Sequence, residues 1–157
     1  MAAIRVELEC TLTAPPERVW DAIQRPALLH HVAAPILAFD PIAPAHWPAQ
    51  WSPGPYRAGL RLFGVLPVGW QVIDISFPQP GAHVIRDNGH GPMIARWDHW
   101  ITLADCAGGT HYTDRVDIDA GWLTRPVAAF ARAFYKHRQK RLTALAQINF
   151  KGILPGA

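Results

Sequence analysis

The stretch M-I-A-R-W-D-H-W-I-T-L-A-D-C-A-G-G-T-H-Y-T-D-R-V-D-I-D-A, residues 93–120, decides the fold. Its two halves, 93–104 and 110–120, each alternate between apolar and more polar residues, and two glycines lie between them. Alternation with a period of two puts one set of side chains on each face of a strand, and a Gly-rich separator indicates a turn. The stretch therefore predicts two long antiparallel strands, joined by a turn over residues 105–108 that pairs residue 104 with residue 109.

A segment with helical periodicity follows directly, over about residues 123–148. Its large apolar side chains share one face at 100° per residue: Leu123, Val127, Phe130, Phe134, Leu145 and Ile148. Basic residues Arg132, Lys136 and Lys140 lie roughly opposite. A curved sheet packed on one such helix leaves a hollow between the two layers. This arrangement favours a protein with an internal pocket.

The rest of the chain adds strands and two short helices to this core. Residues 2–12 alternate cleanly, two short helical segments follow with a break at Pro26, and a short strand is expected near 36–40. Further strands are predicted at 56–63, 68–77 and 82–88, with Gly- and Pro-containing turns between them. Consecutive strands with short turns indicate an antiparallel meander. We expect an α+β fold that forms a single domain over residues 1–157.

One long loop separates the two halves of this pattern. Residues 33–55 contain six prolines, so the segment cannot be regular throughout. It also contains Trp47 and Trp51. Two interpretations stay open: the loop caps a pocket, or the two tryptophans simply hold an ordered loop on the core.

Composition narrows the class of protein. Half of the 157 residues are hydrophobic and 17% are charged, which argues against disorder. No apolar run approaches the ~20 residues of a membrane helix, and the first residues do not resemble a secretory signal. Two cysteines are too few for a disulfide framework, and the eight histidines show no ligand-like spacing. We expect a cytoplasmic protein with no metal, no cofactor, no nucleic-acid partner and no integral membrane association.

Polar residues on the apolar faces of the two long strands are the candidate site. Trp97, His99 and Ile101 share one face of the first strand, and the corresponding face of the second carries Tyr112, Asp114 and Val116. The predicted register puts His99 directly opposite Asp114, within side-chain reach. Asp114 could then fix the tautomer of His99 and raise its pKa, and leave the other ring nitrogen for a ligand or a proton transfer. The alternative is a buried hydrogen bond that only satisfies two polar groups.

Two arginines fall on or near the apolar stripe of the last helix, Arg138 and Arg141. An arginine on an inner face needs a carboxylate or an anionic ligand, unless its side chain reaches outward to water. Because both lie towards the end of the helix, we expect them to reach outward or to form an ion pair.

Four segments together resemble the START-like helix-grip superfamily (SRPBCC). They are T-L-T-A-P-P-E-R-V-W-D-A-I at 11–23, W-D-H-W-I-T-L at 97–103, G-T-H-Y-T-D-R-V-D-I at 109–118 and A-F-A-R-A-F-Y-K-H-R-Q-K-R-L at 129–142. This superfamily includes polyketide cyclases/dehydratases, plant pollen allergens and lipid-transfer domains. The resemblance implies seven antiparallel strands around a long C-terminal helix, two short helices after the first strand, an apolar cavity, and no metal or redox cofactor. It implies that His99, Tyr112 and Asp114 occupy cavity-facing positions.

The leading hypothesis is the binding of a small hydrophobic molecule such as a lipid, an isoprenoid or an aromatic polyketide. The predicted ligand-binding residues are Trp97, His99, Ile101, Tyr112, Asp114, Val116, Phe130 and Phe134. The alternative is a polyketide cyclase/dehydratase-like enzyme in which His99, paired with Asp114, acts as acid and base. A third hypothesis is an interaction module that uses the basic helix and the Pro-rich loop. Whether the protein is an enzyme, and whether a strand edge pairs in a homodimer, stays open.

Overall fold

The computed structural model describes residues 2–156. Within these residues, seven strands, three helices and a short 3-10 turn (Gly121–Leu123) follow one another: β1 (Ile4–Leu12), α1 (Pro16–Ile23), α2 (Pro26–Ala33), β2 (Leu37–Ala43), β3 (Gly54–Leu62), β4 (Leu66–Ser76), β5 (Val84–Gly89), β6 (Arg96–Cys106), β7 (Gly109–Asp119) and α3 (Thr124–Gln147). The strands form one antiparallel sheet. This confirms the predicted α+β fold, with its long C-terminal helix and two short helices after β1.

Proline defines the two short helices. Pro16 and Pro26 occupy the first turns of α1 and α2, where a missing N–H costs nothing because no intrahelical acceptor is available there. Pro26 also prevents α1 from continuing. Each helix buries one apolar side, represented by Val19 in α1 and Leu28 in α2. The two helices carry the chain from one edge of the sheet to the other.

The order of strands explains where a hollow can form. The sheet runs β1-β7-β6-β5-β4-β3-β2, so the first and last strands are neighbours and β2 lies at the opposite edge. Helix α3 packs mainly on β1, with further contacts to α2 and β7. The helix therefore packs closely against β1 and β7 at one edge of the curved sheet. The strands towards the opposite edge lie farther from it.

The β6–β7 hairpin differs from the predicted register. Cys106 pairs with Gly109, so the turn consists of Ala107 and Gly108 alone, and His99 lies opposite Val116 instead of Asp114. The prediction was wrong by two residues. Gly108 (φ +88°) and Gly109 (φ +138°) adopt backbone conformations that other residues rarely reach, which allows the tight two-residue turn.

The end of α3 also differs from the apolar pattern. The pattern places Ile148 on the inner face, but Ile148 is 55% exposed. The helix ends at Gln147, and Asn149 and Phe150 turn the chain with positive φ angles. Phe150 is therefore the side chain that enters the core, where it is fully buried.

Candidate ligand-binding cavity

A cavity of about 430 Å³ lies between the sheet and α3. Its walls are largely apolar, and they include Ile73, Ile75 and Ile85 from the middle strands and Leu142 from α3. The cavity reaches the surface at Met93, which lines it and is 61% exposed. A space of this size and character can hold a small apolar molecule.

The structure brings six of the eight predicted site residues to the wall of this cavity: Trp97, His99, Ile101, Tyr112, Phe130 and Phe134. Asp114 and Val116 are not part of the wall, so the expectation that these two side chains face the cavity was wrong. Both residues lie on the inner face of β7, where α3 covers them: Gln139 bonds to Asp114, and Val116 packs in a cluster with Ala131. A direct role for the six wall residues in ligand contact stays a prediction.

Asp114 is the centre of a buried hydrogen-bond cluster. His99 Nε2 lies 2.7 Å from Asp114 Oδ1, and the Tyr112 hydroxyl donates to the same oxygen at 3.0 Å. Gln139 Nε2 donates to Asp114 Oδ2 at 2.9 Å and also to the carbonyl oxygen of Leu8 at 3.0 Å. The predicted His99–Asp114 contact therefore exists, but it runs diagonally across the strands. Long side chains on one face of a sheet can span such a diagonal.

The cluster keeps Asp114 ionised and His99 neutral. Burial alone would raise the pKa of Asp114, but the hydrogen bonds from His99 and Gln139, together with the charge of Arg138, lower that pKa below its usual value. Burial lowers the pKa of His99, and this outweighs the opposing effect of Asp114, so the expected rise in that pKa was wrong. A neutral imidazole then donates its Nε2–H to the carboxylate. The Nδ1 atom, which bonds to none of the described residues, is left as an acceptor on a cavity-lining residue.

Tyr135 is a wall residue that the sequence reasoning missed. Its hydroxyl accepts a hydrogen bond from Trp97 Nε1 at 3.0 Å, and its ring centroid lies 4.7 Å from that of His99. Burial raises the pKa of Tyr135 well above the usual value for a phenol, so the hydroxyl stays protonated. The helical pattern could have predicted an inward position for Tyr135, because this residue follows Phe134 at the edge of the apolar face.

Arg138 is the second missed residue, and here the expectation of an outward or paired arginine was wrong. The side chain lines the cavity, its Nε is buried without a partner, and no carboxylate oxygen of residues 2–156 lies within 4.0 Å of it. Its guanidinium carbon lies 5.1 Å from the ring centroid of Tyr135 and 5.8 Å from that of Phe134. Arg141 behaves as expected, since its Nε donates to the carbonyl oxygen of His31 at the surface.

Asp87 is a third polar wall residue that was not predicted. It lies on the same face of β5 as Ile85, next to His99 in the sheet, and its Oδ1 accepts a hydrogen bond from the backbone N–H of Asp74 at 2.8 Å. Burial raises the pKa of Asp87 to about 7. The alternation of β5 predicts an inward position for Asp87. A carboxylate on an apolar face needs a partner from elsewhere in the fold, and the sequence alone does not show that partner.

The Pro-rich loop supplies part of the wall. Trp51 lines the cavity, and its backbone N–H donates to the carbonyl oxygen of Gln24 at 2.7 Å. Its ring packs against Tyr56 at 4.8 Å and against Trp47 at 5.6 Å between centroids. The tryptophans thus hold the loop on the core and, through Trp51, close one side of the cavity.

Two further features concern metals and membranes. Within residues 2–156, no group of three or more His, Cys, Asp or Glu side chains is arranged to hold a metal ion. None of the helices in this part of the chain is both long and apolar enough to cross a membrane.

Comparison with known families identifies one match. Residues 10–146 match the model of a domain of unknown function, DUF8410. The chain belongs to this family. No curated protein matches the DUF8410 chain.

Solved structures resemble the DUF8410 chain in fold. Protein CV1439 from Chromobacterium violaceum is 21% identical, with a TM-score of 0.65 over 90% of this chain and 96% of its own. TTHA0849 from Thermus thermophilus is 12% identical, with a TM-score of 0.68 over 92% of this chain and 98% of its own. Ara h 8.0201 is 12% identical, with a TM-score of 0.56 over 90% of this chain and 99% of its own. These likenesses support the helix-grip fold.

Proposed function

We propose that this protein binds a small, largely apolar molecule, such as a lipid, an isoprenoid or an aromatic polyketide, inside the cavity between the sheet and α3. One observation carries the proposal. A space of about 430 Å³ has apolar walls from the sheet, α3 and the Pro-rich loop, together with a few polar groups. Burying apolar ligand surface there supplies affinity, and the polar groups orient the ligand.

The same evidence supports finer assignments that we propose with it. The helix-grip fold and the quoted sequence segments favour membership of the START-like superfamily. We further propose one domain over residues 1–157 and a cytoplasmic location. A homodimer through a strand edge and a role as an interaction module stay open predictions.

Native mass spectrometry of the purified protein, followed by organic extraction, tests the binding function. We expect a co-purified apolar compound, or saturable displacement of a hydrophobic fluorescent dye by dodecanol. Protein that carries no compound, takes up no dye and binds no dodecanol would overturn the proposal. Val116→Ala serves as a control for general loosening, because Val116 is buried but outside the cavity wall.

A second function is favoured by one specific feature, the orientation of His99. Asp114 holds the ring through Nε2, and the other ring nitrogen is left free on the cavity wall. A neutral imidazole fixed in this way could accept a proton from a bound poly-β-ketone or β-hydroxy compound. The cavity would then hold the substrate in a folded shape, as a cyclase or dehydratase requires.

His99→Gln separates the two functions, since an amide can still donate to Asp114 but cannot act as a base near neutral pH. In an enzyme, turnover of a poly-β-ketone mimic should be lost while its affinity changes only a few-fold. In a binder, no turnover exists in the wild-type protein, and the affinity should fall by about 1 kcal/mol for one lost hydrogen bond. Undetectable turnover by wild-type protein across cyclisation and dehydration substrates would refute the enzymatic hypothesis.

A further inference from the structure

We propose that the cavity selects ligands whose apolar body carries a carboxylate, and that Arg138 binds this carboxylate. The inference rests on the proposed ligand-binding function and specifies its ligand class. Its basis is a half-buried cation on the cavity wall, with an inaccessible Nε, for which residues 2–156 provide no hydrogen-bond acceptor.

The first step is the state of Arg138. Its Nε is inaccessible to solvent, and none of its nitrogens has a hydrogen-bond or salt-bridge partner among residues 2–156. The rings of Tyr135 and Phe134 lie beside the guanidinium, and they compensate only part of the lost hydration. A buried donor without an acceptor is costly, and arginine has five donors in a fixed planar fork. A ligand oxygen that enters the cavity would remove this cost.

The second step is that neither neighbouring carboxylate pairs with Arg138. Asp114 accepts hydrogen bonds from His99, Tyr112 and Gln139, and it faces α3 behind the wall. Asp87 accepts from the backbone of Asp74. Both influence Arg138 electrostatically, but neither approaches it within 4.0 Å. The fork of Arg138 thus remains available to a ligand.

The third step concerns the kind of anion. Arg138 is the only lysine or arginine on the described cavity wall. A single guanidinium matches a monoanionic carboxylate in charge and in bidentate geometry, whereas a phosphate dianion would bring an uncompensated second charge into an apolar site. The wall around Arg138 includes Phe134 and Leu142, on the neighbouring turns of α3, so the carbon skeleton of the ligand has an apolar surface to follow.

A matched set of probes tests this assignment. Dodecanoate, dodecanol and dodecyltrimethylammonium share an alkyl chain and differ in the charge of the head group. We expect wild-type protein to bind dodecanoate at least about tenfold more tightly than dodecanol, as measured by calorimetry or dye displacement. Dodecyltrimethylammonium should bind most weakly. The pair 2-naphthoate and 2-naphthalenemethanol repeats the comparison with an aromatic body, which distinguishes an aliphatic acid from an aromatic acid as the preferred ligand.

Variants then assign the preference to one residue. Arg138→Met keeps the length of the side chain and removes its charge, so dodecanoate should lose its advantage while dodecanol affinity is retained. Arg141→Met is the matched control, because Arg141 lies one turn further along α3 and bonds outward to His31. It should leave the preference unchanged. Arg138→Lys should restore part of the preference through its charge, without the bidentate fork.

The possible failures are distinguishable. If none of the probes binds, the proposed function is overturned and this inference falls with it. If dodecanoate and dodecanol bind wild-type protein equally, the binding function stands and the carboxylate preference is wrong. If folded Arg138→Met still prefers dodecanoate to dodecanol, the preference comes from another group and the assignment to Arg138 is wrong. If Arg138→Met fails to fold, as judged by circular dichroism, the comparison of probes on wild-type protein and on Arg138→Lys still tests the carboxylate preference.

Discussion

Two charged side chains between the sheet and α3, the buried Asp114 and the half-buried Arg138, have opposite surroundings. Asp114 receives three side-chain donors, from His99, Tyr112 and Gln139, and is closed off by α3. Arg138 receives no acceptor from the described residues and faces the cavity. A folded domain tolerates an unsatisfied buried cation poorly, so such a group is better explained by a ligand than by stability. Asp114, with all three donors in place, stabilises the fold and fixes the orientation of His99.

Removal of Asp114 should therefore destabilise the fold strongly. Asp114→Ala leaves three buried donors each short of an acceptor, at about 1–3 kcal/mol per donor, and we expect the free energy of unfolding to fall by about 3–5 kcal/mol. Urea denaturation, followed by circular dichroism, measures this change. Asp105→Ala, at an exposed position near the same hairpin, should change it by no more than about 0.5 kcal/mol. A similar small loss for Asp114→Ala would contradict the assignment of Asp114 as the centre of the cluster.

Asp87 should make stability depend on pH. Its pKa is raised from 3.8 to about 7, chiefly by burial. The charges of Asp74 and Asp98 add to this rise, whereas the hydrogen bond from the Asp74 backbone N–H and the charge of Arg138 oppose it. The folded state therefore binds this proton more tightly than the unfolded state. The stability that Asp87 contributes is fully present below pH 3.8 and is lost as the pH rises towards about 7.

Asp87→Asn is the corresponding experiment, because the amide stays neutral and its oxygen can still accept from the Asp74 N–H. We expect its melting temperature, relative to wild type, to increase between about pH 5 and about pH 8. Thermal unfolding at both pH values measures the difference. Asp105→Asn, which replaces an exposed carboxylate, should show little such change. A difference for Asp87→Asn that does not vary with pH would rule out a buried titrating Asp87.

At the level of elements, the β6–β7 hairpin shows how one turn governs the site. Two glycines allow a turn of two residues, and this shifts His99 away from direct opposition to Asp114. The two side chains still meet because both are long enough to span the diagonal. The identity of the pair could be predicted from alternation, whereas its geometry depended on whether the turn before Gly109 contained two residues or four.

The two glycines of this hairpin should respond differently to alanine. A Cβ atom on Gly109 would collide with the carbonyl oxygen of Leu12 and come within 3.1 Å of Ala14 N, whereas a Cβ on Gly108 would meet nothing within 4 Å. Both residues have positive φ angles. We expect Gly108→Ala to cost about 1 kcal/mol of unfolding free energy and Gly109→Ala about 3 kcal/mol or more.

Urea denaturation of the two variants, side by side, measures that difference, and each serves as the other's control for backbone strain. Equal losses would mean that the close approach of β1 to Gly109 does not contribute.

Over the whole molecule, the hollow between sheet and helix links ligand binding to stability. A ligand that binds only the folded state stabilises it by mass action, by about 2.7 kcal/mol at one hundred times its dissociation constant. We expect dodecanoate to raise the melting temperature of wild-type protein and to raise that of Arg138→Met much less at the same concentration. Differential scanning fluorimetry measures both shifts. Equal shifts in the two proteins would indicate a general detergent effect instead of binding at Arg138.

The sequence by itself determined the elements and their faces. Periods of two and of about 3.6 residues are local properties, so seven strands, three helices and the inward residues Trp97, His99 and Ile101 could be predicted from them. The tertiary structure decided the rest: the hairpin register, the cover of α3 over Asp114, and the direction of Arg138. The cover over Asp114 and the direction of Arg138 depend on how closely the helix packs against each strand. The distance between α3 and each strand is set by the curvature of the whole sheet. The sheet lies close to α3 at β1 and leaves space for the cavity at the strands farther from β1.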